Sequence, residues 1–149
     1  MRGDLLDAIC TKDIKKTLLI LDDIKKISPH LLNGEEDDNK NTILHDIIEY
    51  IRKPNVTIFK NILELIDPNI VNVINLDDYS ALHYAIAKNH NAICKILIPK
   101  MNLSALTYNG GYGTHYDGSA SYLAYNSNMV LIKVLIDKRI KKLKNLEVK

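Results

Sequence analysis

Two six-residue strings constrain this chain more than any bulk property. They are Thr42-Ile43-Leu44-His45-Asp46-Ile47 and Ser80-Ala81-Leu82-His83-Tyr84-Ala85. Each opens on a hydroxyl residue able to cap a helix, because its oxygen can accept one of the orphan backbone N–H groups of the first turn. Each continues with Leu-His and then a second apolar position. The strings lie thirty-eight residues apart. A signature returning at this kind of interval marks a repeat architecture, in which each unit buries its apolar side only against its neighbours. Such a stack offers an extended surface, so the functional question becomes what it holds.

The rest of the chain can be divided at the same interval, into units of 1–38, 39–75, 76–110 and 111–149. The third unit is the clearest. Asp77-Asp78-Tyr79 supplies a polar turn, and Ser80 is the expected N-cap. Leu82, Ala85 and Ile86 recur on one helical face. Asn89-His90 breaks the helix, since asparagine tolerates the left-handed backbone of a tight turn. Ile93, Ile96 and Leu97 form the stripe of a second helix, which Pro99 closes.

The second unit repeats this plan with a longer first helix, expected to end in Arg52-Lys53-Pro54-Asn55. Its second helix spans 56–66, with apolar positions 58, 59, 62, 63, 65 and 66, before Asp67-Pro68 stops it. The first unit is a degraded copy. Leu5-Leu6-Asp7-Ala8 stands in place of the signature, Lys12-Asp13 makes the turn, and Ile14, Leu18, Leu19 and Leu21 are the expected inner stripe. In the fourth unit, Ser121 and Tyr122 replace Leu-His within Gly118-Ser119-Ala120-Ser121-Tyr122-Leu123-Ala124. Its second helix is expected over Met129 to Ile136, with Val130, Leu131, Val134 and Leu135 inward. Terminal units of a stack depart from the pattern because one face meets water.

At 149 residues and 46% apolar content, the chain is long enough for one cored domain. Met1-Arg2-Gly3-Asp4 does not open a secretory signal, and no run approaches the ~18 apolar residues of a membrane span. The expectation is a soluble intracellular protein without membrane association. The two cysteines, Cys10 and Cys94, point to no disulfide framework. The net charge of +2 divides unevenly. Residues 1–75 carry thirteen acids and ten bases, whereas 76–149 carry five acids and ten bases. The basic run Lys138 to Lys144 reads as the solvated end of the last helix, with a nuclear import signal or an anionic contact as the alternative. No general basicity supports direct nucleic-acid binding.

No motif supports catalysis, a cofactor or a metal. His45 and His83 occupy the repeat signature and are expected to bond the backbone of the neighbouring turn. His30, His90 and His115 complete no ligand spacing with them. Glu35-Glu36-Asp37-Asp38 lacks the alternating carboxylates of a calcium loop and reads as a solvated inter-unit loop. Gly110-Gly111-Tyr112-Gly113 lacks the lysine and hydroxyl of a phosphate cradle and reads as a lengthened flexible turn. Five of eight tyrosines fall at 108, 112, 116, 122 and 125. Tyrosine is common at interface hot spots, which makes the 108–116 loop a candidate contact.

The chain resembles ankyrin-repeat proteins, strongly over 39–100 and weakly at both ends. The resemblance implies an all-α solenoid of about four helix-turn-helix units that binds another protein and is not an enzyme. Within that family the chain is similar to the inhibitors of Rel/NF-kappaB transcription factors. The similarity lies in the order of the units and in Leu106-Thr107-Tyr108-Asn109-Gly110 followed by Tyr122-Leu123-Ala124. No Asp-Ser-Gly-x-x-Ser degradation motif is present, and the tail is basic where those inhibitors are acidic. Short proteins of this form resemble viral ankyrin mimics of the vankyrin type. The implied role is to hold a host Rel dimer in the host-cell cytoplasm, with the nucleus as a second compartment, and to suppress immune signalling constitutively. A generic ankyrin adaptor or effector with a different partner is the alternative. The free protein is expected to be a monomer. The expected partner-binding residues are Asp77, Asp78, Tyr79, Tyr84, Lys88, Tyr108, Asn109 and Tyr112.

Overall fold

The computed structural model describes residues 2–11, 13–27, 29, 37–51, 55–109 and 118–147. The helices are α1 (Arg2–Cys10), α2 (Ile14–Ile27), α3 (Ile43–Tyr50), α4 (Val56–Leu65), α5 (Ala81–Ala87), α6 (Asn91–Leu97), α7 (Leu103–Thr107), α8 (Ala120–Asn126) and α9 (Val130–Glu147). Short 3-10 turns occupy Pro68–Asn72 and Ile98–Lys100. The described residues contain no strand. Two layers of helices run the length of the stack. Helix α1 packs on α3, α3 on α5 and α5 on α8, while α2 packs on α4, α4 on α6 and α6 on α9. The fold is therefore the expected helical solenoid of paired helices.

Local chemistry explains where the helices begin. Thr42, Asn55, Ser80, Asn102 and Ser119 each accept a backbone N–H from the first turn of the helix they precede. The turns between paired helices place Asn89 and Asn128 at φ of 60° and 58°. Asparagine reaches this left-handed region at lower cost than most residues. The second unit's first helix is shorter than expected. Helix α3 ends at Tyr50 with Ile51 as its cap, and Asn55 belongs to the start of α4. The intervening Arg52-Lys53-Pro54 lies outside the described residues.

A single apolar core runs through the stack. Leu44, Ile47 and Ile48 from α3 meet Leu82, Ala85 and Ile86 from α5, while Phe59 and Ile62 of α4 lie against Ile93, Cys94 and Leu97 of α6. The terminal stripes differ from expectation. In α2 the buried positions are Thr17, Leu21 and Ile24, whereas Leu18 and Leu19 are exposed. In α9 they are Met129 just before the helix, then Ile132 and Ile136, whereas Val130, Leu131 and Val134 are 64%, 57% and 40% exposed. Both helices have apolar residues on more than one face, so spacing alone cannot choose the buried one. Helix α9 also continues to Glu147, beyond the expected end at Ile136. The side chains of Cys10 and Ile14 and the whole of Lys12 lie outside the described residues.

The fourth unit is closed by polar substitution. Ser121 stands where the inner units have Leu44 and Leu82, Lys133 where they have Phe59 and Cys94, and Asp137 where they have Leu63 and Ile98. Ser121 Oγ donates to Asp137 at 2.6 Å, and Lys133 pairs with the same carboxylate. Burial alone would raise the Asp137 pKa, but the Lys133 and Ser121 hydrogen bonds outweigh it and lower the value. Positions that bury apolar surface in an inner unit here form a half-exposed polar trio. A Leu82→Ala change should cost about 2–5 kcal/mol because a fully buried leucine leaves a cavity. Leu131→Ala should cost no more than about 0.5 kcal/mol. Urea unfolding of the two variants measures both.

Candidate binding surface

The site grows out of the turn tips. The segments 37–41 and 75–79 have one geometry. Asp37 Oδ1 accepts the N–H groups of Asn39 and Asn41, each at 2.9 Å. Asn75 Oδ1 likewise accepts those of Asp77 and Tyr79 at 3.0 and 2.9 Å. Each tip turns through a left-handed residue, Lys40 at φ 59° or Asp78 at φ 66°. Asp37 is thus a built part of the tip, where the sequence pointed only to a solvated acidic loop. Glu35 and Glu36 lie outside the described residues.

Adjacent tips are joined directly. The Leu76 N–H donates to the Asn39 carbonyl at 2.9 Å, and Asn75 Nδ2 donates to Asn41 Oδ1 at 2.8 Å. Tyr108 Oη donates to Asp78 Oδ1 at 2.8 Å, and the Gly118 N–H donates to Asn109 Oδ1 at 2.8 Å. Asp78, Tyr108 and Asn109 thereby brace the tip row. Tyr112, Tyr116 and the Gly110–Gly113 stretch lie outside the described residues. Leu106 and Thr107 lie in the short helix α7.

The signature histidines set how these tips sit on the helices. The Thr42 N–H donates to His45 Nδ1, and the Ser80 N–H donates to His83 Nδ1, each at 3.1 Å. A backbone N–H can only donate, so Nδ1 is unprotonated and Nε2 carries the hydrogen. Nε2–H then donates to the next unit: from His45 to the Tyr79 carbonyl at 3.0 Å, and from His83 to the Gly118 carbonyl at 2.8 Å. This is the backbone tie expected of the signature. A third tie was not anticipated. His90 Nε2 meets the Ile51 carbonyl at 3.0 Å and ties the third unit back to the second. Its place just after the left-handed Asn89 was the only available signal.

Aromatic rings fill the corner between tip and helix. Tyr79 lies 5.5 Å from His83 and 6.2 Å from Tyr84 between ring centroids, and Tyr84 lies edge-on to His45 at 5.3 Å. Tyr84 Oη also accepts from Asn75 Nδ2 at 3.0 Å. Burial raises the Tyr84 pKa, the Asn75 bond opposes this, and the carboxylates of Glu49, Asp77 and Asp46 add to the rise. The fields of these three carboxylates therefore reach one hydroxyl, two from α3 and one from the tip. Lys88 meets Glu49 at 3.4 Å across the same surface. Leu76, Tyr50 and Tyr79 are exposed at 60%, 55% and 43%. The result is an acidic surface with aromatic and apolar contact area, resting on a fixed scaffold.

Among the described residues, no three His, Cys, Asp or Glu side chains converge to hold a metal. Burial raises the Cys94 thiol to about 12, so it stays protonated and unreactive at neutral pH. No described helix is long and apolar enough to cross a membrane.

An ankyrin-repeat family model matches residues 77–107, from the Asp77 tip to the end of α7. The match supports an ankyrin-repeat protein, and the architecture around it is an ankyrin-type helical solenoid. A comparison with curated proteins finds no match. Ankyrin repeats are generally interaction modules without enzymatic activity, and the partner they take is a protein.

The histidine tie carries a pH dependence. Burial lowers the His83 pKa, and nearby His45 adds to this, against the Gly118 bond. A group whose folded pKa lies below its unfolded value favours folding above the unfolded pKa. That contribution falls as pH drops through ~6.5 toward the folded value, because the unfolded chain takes up the proton first. Stability in urea should therefore decline from pH 8 to 5, and less steeply in His83→Asn. The variant should itself cost about 1–3 kcal/mol at pH 8, from loss of the cap and the tie.

Proposed function

We propose that this chain holds a partner protein against its inner helices and turn tips, with a Rel/NF-kappaB dimer as the partner. The observation that supports a binding surface is the exposed set Tyr50, Leu76 and Tyr79 beside Asp46, Glu49 and Asp77. Tyrosine supplies large contact area at low conformational cost, and the surrounding carboxylates favour a partner segment bearing Lys or Arg. The Rel assignment draws on the resemblance of the repeat order and of the Tyr108 and Tyr122 strings. Holding such a dimer would block its DNA contact and keep it in the host-cell cytoplasm.

A generic ankyrin adaptor uses the same surface for a different protein, and the family match at 77–107 is equally compatible with it. Affinity capture from insect or mammalian cell extract separates the two. The Rel reading expects a Rel protein on the purified chain. It also expects capture about tenfold or more weaker with Tyr79→Ala, at an unchanged melting temperature, as for an interface hot spot. Reproducible capture of some other protein, with no Rel member, overturns the Rel assignment and leaves the adaptor reading. Undiminished capture by Asp77→Ala, Tyr79→Ala and Leu76→Ala together removes the surface from the proposal.

A further inference from the structure

The uneven charge of the sequence becomes a difference between two faces of the solenoid. From residue 37 onward, the inner helices and tips carry Asp37, Asp38, Asp46, Glu49, Asp77 and Asp78 against only Lys40 and Lys88 among the described residues. The outer layer, α4, α6, α9 and the turns that follow them, is basic. Lys60, Lys95, Lys100, Lys138, Lys141 and Lys142 lie there, exposed and in no ion pair among the described residues. Their acidic neighbours are few: Glu64, Asp67, Asp137 and Glu147. Of these, Asp137 is already engaged by Lys133 and Ser121.

This basic side also has relief. A cleft of about 460 Å³ runs between α4 and α6, with Leu63, Ile96 and Pro99 as its apolar part and Lys60, Lys95 and Lys100 around them, three cations against the single carboxylate of Glu64. A second hollow of about 300 Å³ shares Leu63 and Lys100 and adds Ile66, Pro68 and Val71. Along the same layer, α9 exposes Val130, Leu131 and Val134. Their counterparts in α4 and α6 are Val56, Thr57 and Lys60, and Asn91, Ala92 and Lys95. An outward helical position has no packing reason to be apolar. Nor do lysines ring an apolar cleft to satisfy the fold, since none of them is in an ion pair among the described residues.

We propose that the outer face is a second binding surface, separate from the inner one, and that the α4–α6 cleft takes a polypeptide segment combining acidic and apolar residues. Carboxylates of the segment meet Lys60, Lys95 and Lys100, and its apolar side chains enter against Leu63, Ile96 and Pro99. The mixed lining selects this occupant. A nucleic acid would use the lysines but has no aromatic stacking platform on this face, and the apolar floor gives it nothing. With an acidic inner face and a basic outer one, the chain becomes a two-sided connector.

Fluorescence anisotropy with a short fluorescein-labelled peptide of alternating glutamate and leucine tests this on the full chain. Polyglutamate of equal length, phosphatidylserine vesicles and a single-stranded DNA oligonucleotide serve as the other probes. The Glu/Leu peptide should bind saturably, weaken with salt, and shift the amide resonances of Lys60, Lys95 and Ile96. Lys60→Glu with Lys95→Glu should weaken it about tenfold or more. The milder Lys60→Gln with Lys95→Gln serves if the first pair unfolds the chain. Equal binding of polyglutamate, preference for vesicles or DNA, or shifts confined to the inner face overturns the proposal. So does sedimentation showing that a second copy occupies this face and that the same lysine changes dissolve the dimer.

Discussion

The solenoid depends on an imidazole that bonds in two directions at once. In His45 and His83, Nδ1 is bound to the cap of its own helix and Nε2 to the backbone of the next unit. The two bonds require one neutral tautomer, and in His83 burial favours the neutral ring. Apolar packing holds the helices together but leaves them free to slide or rotate slightly. The directional tie removes that freedom, so tip follows tip at a set spacing. Where the fourth unit has Tyr122, a phenol has one hydroxyl and no ring nitrogens with which to repeat the arrangement. Ser121, Lys133 and Asp137 then turn the exposed side polar.

Once the tips are aligned, their side chains are shared between scaffold and surface. Asn75, Asn41, Asp78 and Tyr108 are used to join one tip to the next. Tyr84 is half-buried in the same network, and Lys88 meets Glu49 in an exposed pair of small energetic value. Tyr79 does both jobs, since its carbonyl receives His45 while its ring faces outward over His83. The residues left most open to a partner are Leu76, Tyr50 and Tyr79, and the first two were not distinguished by sequence. A tie that fixes the backbone in this way lets the exposed side chains meet a partner without a large ordering cost.

The inner architecture was legible because its signals are local. A hydroxyl three residues before a histidine specifies a cap, and asparagine after a short helix specifies a left-handed turn. Leu82, Ala85 and Ile86 face inward as their spacing requires. Legibility was lost where two faces of a helix are apolar. Leu18 and Leu19 compete with Leu21 and Ile24, and Val130 and Leu131 compete with Ile132 and Ile136. An end unit has only one neighbour, so the repeat pattern no longer tells which face is covered. His90 was ambiguous for a different reason, because its acceptor, the Ile51 carbonyl, is thirty-nine residues away and leaves no mark nearby.

By itself the amino-acid sequence determined that helices pair, where most of them begin, and that a histidine ties each inner unit onward. Those outcomes follow from capping, turn stereochemistry and short-range periodicity, which act within a few residues. Tertiary structure alone decided which carboxylates share a surface and which lysines surround a cleft. Asp46 and Asp77 are far apart along the chain yet both act on the Tyr84 hydroxyl, and Lys60 and Lys95 come from different units yet line one hollow. Charge counted along the chain divided this protein into an acidic first half and a basic second half. Stacking redistributes those charges between two faces, because the paired helices pack first helix on first helix and second helix on second.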